Sequence, residues 1–146
     1  MPTCACRQPS GEWQAEVRDS DDAAGATRTV VTRSAESSVW ENWTHLAVSY
    51  DAFSQRLVLY VNGRMGNQTC APDATGCTSH ISSASAPQPY ETKGGLQFGR
   101  SRSSNAWGEY FSGELEDVWL YQGVLSPAQI AKLSDYTADL STGTGV

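Results

Sequence analysis

The sequence predicts an all-β fold, a two-sheet antiparallel jelly-roll sandwich with one short helix in its C-terminal region. Three observations carry this: short segments in which apolar and polar side chains alternate, polar turns between them, and a single capped helix signal. The 146 residues suit one domain. Hydrophobic residues make up 39% of the chain, and five Trp and six Tyr supply the large side chains a core needs.

Residues 1–10, with two Pro and a Cys-x-Cys, read as an irregular segment ahead of a domain spanning 11–135. Residues 12–18 place Trp13, Ala15 and Val17 on one side, the pattern of a half-buried strand. A polar turn containing Asp19, Asp21, Asp22 and Gly25 leads to a β-branched partner strand, Thr27 to Thr32. Trp43 to Tyr50 is a strong strand, with Leu46, Val48 and Tyr50 on one face and Trp43, His45, Ala47 and Ser49 on the other. Arg56 to Asn62 completes a hairpin, with Leu57, Leu59 and Val61 opposite Val58 and Tyr60. Asn62-Gly63 then marks a turn, because both residues tolerate positive φ. Met65 to Lys93 is rich in Ser, Thr, Ala, Pro and Gly and reads as a long loop. Gly95 to Gly99 is a short strand, followed by a polar loop around 101–108 and a closing strand or strand pair from Tyr110 to Tyr121. Ser126-Pro127-Ala128-Gln129 is a capping box with Pro at the first helical position, predicting one or two turns over Ser126–Asp135. Residues 136–146 have linker composition and read as a flexible tail. The alternation assigns Trp13, Trp43 and Trp119 to the core.

The net charge of −6 argues against nucleic acid, whose phosphates require a basic footprint, and against docking on anionic membranes. No apolar run reaches the ~18 residues of a membrane span. The start of the chain has no basic segment followed by an apolar one, so no export signal is expected within it. Cys70 and Cys77 bracket a turn-rich stretch and read as a disulfide closing a small loop, which favours an extracellular compartment. Two free thiols are the alternative. Zinc held by Cys4, Cys6, Cys70 and Cys77 fits no common spacing.

Trp43 to Asp51 and Leu59 to Gly63 resemble the central hairpin of the laminin-G-like jelly-roll domains of the concanavalin A-like lectin/glucanase superfamily. Leu96 to Arg100, Tyr110 to Tyr121 and Val124 to Ile130 resemble later strands and the helix of the same family, in the right order. The proteins most similar in these motifs are bacterial, largely actinobacterial, secreted modules. Family members begin with strands upstream of anything matching residues 12–34, so the resemblance implies that the early strands are missing here. It also implies a Ca²⁺ near the sandwich rim, with Asp117 as the one matching ligand. The Asp- and Asn-rich N-terminal segment that usually supplies the others is lacking.

No catalytic residues are expected. Glu114 and Glu116 would share a strand face, but the third acid of the glucanase pattern is replaced by Val118, Trp119 or Leu120. His45 and His80 stand in no nucleophile context. Asn42 and Asn67 open glycosylation patterns that read as chance. The binding candidates are aromatic and planar polar groups in or beside loops: Trp40, Tyr90, Trp107 and Tyr110 for stacking, Arg100 and Asn105 for hydrogen bonds, with Arg102 and Asn62 as further polar contacts. The expectation is a non-catalytic, secreted binding or adhesion module recognising carbohydrate or glycoconjugate, without a required cofactor. A structural or protein-interaction domain contacting a neighbouring domain is the alternative, and a degenerate glycoside hydrolase the third reading.

Overall fold

A computed structural model of the chain describes residues 3–7, 12–20, 25–34, 43–68, 80–87, 89, 91, 95–103 and 106–141. Of residues 3–7, 34, 67–68, 80, 102–103 and 136–141, only the backbone is described. One antiparallel sheet contains β1 (Thr3–Arg7), β2 (Glu12–Arg18) and β3 (Arg28–Ser34) in that order. A second is built from β4 (Leu46–Asp51), β5 (Arg56–Val61) and, beyond two short strands β6 (Asn67–Gln68) and β7 (His80–Ile81), β8 (Ser83–Ser85). A small hairpin, β9 (Ser101–Ser103) and β10 (Ala106–Gly108), and one helix, α1 (Pro127–Ser141), follow.

The alternation read from the sequence fixes how the sheets meet. Ala15 and Val17 of β2, Val31 of β3 and Leu57, Leu59 and Val61 of β5 are fully buried in one cluster. Trp13 packs against it from β2, and Leu46, Val48 and Tyr50 from β4. Register follows the same logic, with Ala15 opposite Val31 and Val48 opposite Leu59. At the sheet edge Arg18 and Arg28 are paired across strands, a repulsive arrangement that Glu16 relieves by accepting from the Nε of both.

The other face of β5 carries Val58 and Tyr60. These bury against Ile130 of α1, flanked by Ala47 and Leu125. The helix begins as its capping box predicts: the Gln129 N–H donates to Ser126 Oγ at 3.3 Å, and the Ser126 N–H donates to Gln129 Oε1 at 2.8 Å. The Asn62-Gly63 turn also forms, with φ of 49° and 71°. The Asn62 side chain accepts from the His45 N–H at 3.1 Å, fastening the turn to the start of β4.

Several expectations are corrected. Residues 3–7 form a strand paired with β2 rather than an irregular segment, because Pro2 and Pro9 stand outside it and leave the ladder donors intact. The helix passes Asp135 and ends at Ser141, since no Gly or Pro interrupts it before Gly143. Neither 95–99 nor 110–121 is a strand, and the polar stretch 101–108 supplies the β9–β10 hairpin instead. Residues 110–124 are exposed throughout, and Asp117 has φ of 50°, which breaks strand alternation. Trp43 and Trp119, assigned to the core by pattern, are 44% and 71% exposed. In the long Ser/Thr-rich segment, β6, β7 and β8 add short strands to what reads as loop.

Candidate ligand-binding site

The β9–β10 hairpin positions a compact group of polar and aromatic side chains. Its register sets Trp107 opposite Arg102 and Gly108 opposite Ser101. Arg100, one residue before β9, lies with its guanidinium carbon 4.0 Å from the Trp107 ring centroid, a cation–π stack. Gln97 Oε1 accepts from Arg100 Nε at 3.1 Å and Nη2 at 3.0 Å, holding the guanidinium plane in place. Behind them the Ser101 hydroxyl donates to Glu109 Oε2 at 2.6 Å, and the Phe111 N–H donates to the Gly99 carbonyl at 2.8 Å. Gly99 adopts φ of 70°, which an L side chain adopts only with strain. Trp107 is 42% and Tyr110 68% exposed, so aromatic surface faces solvent beside a fixed cation. Such a surface can stack on a sugar ring or another apolar face while the guanidinium N–H groups donate hydrogen bonds.

The structure thus joins two of the sequence's candidates, Arg100 and Trp107, and leaves Tyr110 exposed three residues further on. Trp40, Tyr90 and Asn105 lie outside the described residues, as do Cys70 and Cys77. Gln97 and Glu109 were not foreseen. Gln97 stands three residues before Arg100, and that spacing was masked by reading 95–99 as a strand.

Asp117 is exposed on the segment following the hairpin. Among the described residues no group of three or more His, Cys, Asp and Glu side chains is placed to hold a metal ion. The described residues therefore do not fit the Ca²⁺ that the family resemblance implies, because one exposed carboxylate leaves a hard cation short of oxygen ligands. Glu114 and Glu116 sit on the same non-strand segment, which lacks the pleat that would aim two carboxylates into one cleft.

Two antiparallel sheets closing on one core, a helix on the outer face and side chains displayed on a loop-borne hairpin define a jelly-roll sandwich domain. Residues 6–131 match the laminin-G family model described as concanavalin A-like lectin/glucanases superfamily, and the chain belongs to that family. Domains of this family are generally non-catalytic and typically extracellular, and often bind carbohydrate or protein, although the superfamily includes glycoside hydrolases. No curated protein matches the sequence. A crystal structure of an S-layer domain-containing protein (residues 221–444) from Clostridium thermocellum ATCC 27405 is 18% identical, with a TM-score of 0.47 over 85% of this chain. The chain spans 52% of that structure. Among the described residues no helix is long and apolar enough to cross a membrane.

Proposed function

We propose that this domain is a non-catalytic binding module of an extracellular protein and recognises carbohydrate or glycoconjugate through the β9–β10 hairpin. The observation that carries the reading is the Arg100–Trp107 stack, an exposed aromatic paired with a guanidinium that Gln97 holds in plane. Tyr110, exposed three residues after Trp107, is proposed with Trp40, Tyr90 and Asn105 as a further contact to the same ligand. A disulfide between Cys70 and Cys77 would suit the extracellular setting. A glycan array with the native chain and the Trp107→Ala variant tests this. Loss of the ring and its stack is expected to weaken binding about tenfold. An unchanged array, or no glycan retained by the native chain, removes the proposal.

One observation favours a second reading, a protein-interaction domain. The exposed segment 110–124 displays Leu115, Val118, Trp119 and Leu120 to solvent, and exposed apolar side chains grouped in one segment suit contact with a partner. Light scattering over a concentration series tests self-association, and a monomer throughout counts against that form of the reading.

A further inference from the structure

A second concave feature stands on other elements than the β9–β10 hairpin. It is a groove of about 360 Å³ on the outer face of the β4–β5 pair, reaching from their connecting turn to the first turn of α1. Its size falls near the small end of the range for ligand sites, about 300–1,000 Å³. Val58 and Tyr60 bury against Ile130, which marks the face of β5 that α1 covers. Alternation puts Arg56 on that same face. Cross-strand partners share a face, so Asp51 opposite Arg56 and Ser49 opposite Val58 belong to it too. All of these side chains line the groove.

The groove changes chemistry along its length. Toward the β4–β5 turn it is charged and hydroxylated, with Asp51, Ser54 and Arg56. Toward the helix start it is aliphatic, with Val124, Leu125 and Pro127. The charged groups are held in place. Asp51 accepts from the Ser54 hydroxyl at 2.6 Å and from the Phe53 N–H at 2.9 Å, bonds that lower its pKa from the ordinary value and keep it ionised at neutral pH. Arg56 Nη2 donates to Ser83 Oγ of β8 at 3.4 Å. The turn itself is fastened next to β8, where the Gln55 carbonyl accepts from the Ala86 N–H at 2.8 Å. Charges fixed in advance lose little freedom when a ligand arrives.

Two opposite charges on neighbouring strands restrict what that ligand can be. Cross-strand partners stand about 5 Å apart at their Cα atoms. A lone anion would meet the Asp51 carboxylate, and a lone cation the Arg56 guanidinium. A neutral molecule would displace water from two charges without supplying a countercharge to either. A zwitterion answers both. An α-amino acid carries its ammonium and carboxylate on a single carbon, close enough to serve two adjacent side chains, and its own side chain is left to extend over the aliphatic wall. We infer that this groove binds a free α-amino acid with an aliphatic side chain, its ammonium on Asp51, its carboxylate on Arg56 and its side chain against Val124, Leu125 and Pro127. The inference goes beyond the hairpin reading and does not depend on it.

The test is calorimetric or NMR titration of the full chain at neutral pH with L-leucine, L-valine and L-methionine. At least one should bind saturably, in the millimolar range expected of so small a ligand. Three truncations of the tightest binder are then compared with it: the acid lacking the amino group, the amine lacking the carboxylate, and glycine, lacking the side chain. Each should bind about tenfold more weakly. Asp51→Asn should erase the advantage of the amino acid over the deaminated acid, and Arg56→Gln its advantage over the amine. Arg56 is exposed, so the second variant guards against a folding defect in the first. Absence of saturable binding by all three amino acids, truncated probes as tight as the parent, or both advantages intact in the variants overturns the inference. A failed glycan array at the hairpin leaves these readouts untouched, so the two proposals fail separately.

Discussion

His45 shows how a single side chain ties stability to pH. Its backbone is held by Asn62 on both sides, through the N–H donated to the Asn62 side chain and the carbonyl that accepts the Asn62 N–H at 2.8 Å. Its Nδ1 is buried without a partner among the described residues, and burial lowers its pKa from the ordinary value. The unfolded chain therefore takes up a proton near pH ~6.5 that the folded chain resists. Stability rises with pH between the folded and unfolded values and falls as acidification passes below the latter. Denaturant midpoints measured from neutral to mildly acidic pH should decline in the native chain and decline less in His45→Gln. Parallel slopes would rule out this residue as the source. At this scale the sequence singled out Arg100 and Trp107 as loop candidates, and the structure stacks the two side chains on each other. It did not reveal Gln97 as the brace, because an amide's partner depends on a backbone path that local pattern misread. Trp43 and Trp119 were misplaced for the opposite reason. Alternation reports which residues share a face, not whether another layer covers that face.

Among elements, the Asn62-Gly63 turn is the most constrained. Gly63 has φ of 71°, and a Cβ there would lie 2.9 Å from Ala131 Cα and 3.0 Å from Ser134 Cβ. The turn and the helix thus meet backbone to backbone, and only glycine permits both the angle and the approach. Gly63→Ala is expected to cost about 2 kcal/mol or more, combining backbone strain with overpacking against α1. Urea unfolding would measure it, and a loss within about 0.5 kcal/mol, the range of an ordinary surface change, would refute the close contact. β2 and β4 were readable from alternation, β3 from its β-branched residues, and β5 as the apolar second strand of a hairpin. β1 was hidden by flanking prolines, and the β9–β10 hairpin by Ser and Arg residues with little strand preference. The segment 110–121 has the composition of a strand but, among the described residues, no neighbour to pair with. Hydrogen-bonded partners make a strand, and composition alone cannot supply them.

For the whole molecule, the asymmetry of burial matters most. The sheets close on a buried core, while Leu115, Trp119 and Leu120 in the segment after β10 are 54%, 71% and 76% exposed. An environment-sensitive apolar dye should therefore bind the native chain. A Trp119→Ser, Leu120→Ser double variant should bind less dye while melting at nearly the same temperature, since the exposed side chains support little packing. Undiminished dye fluorescence, or a melting point lowered by many degrees, would show that this segment is covered in solution. The sandwich was visible in the sequence because its core is a sum of local patterns.

β5 delivers alternate side chains to two separate apolar layers, Leu57, Leu59 and Val61 to one and Val58 and Tyr60 to the other. A pairing slip of one residue would send the phenol into the sandwich and a leucine under the helix, spoiling both layers at once. A mistake in one strand thus carries a doubled penalty, and this protects the correct alignment against its nearest competitor during folding.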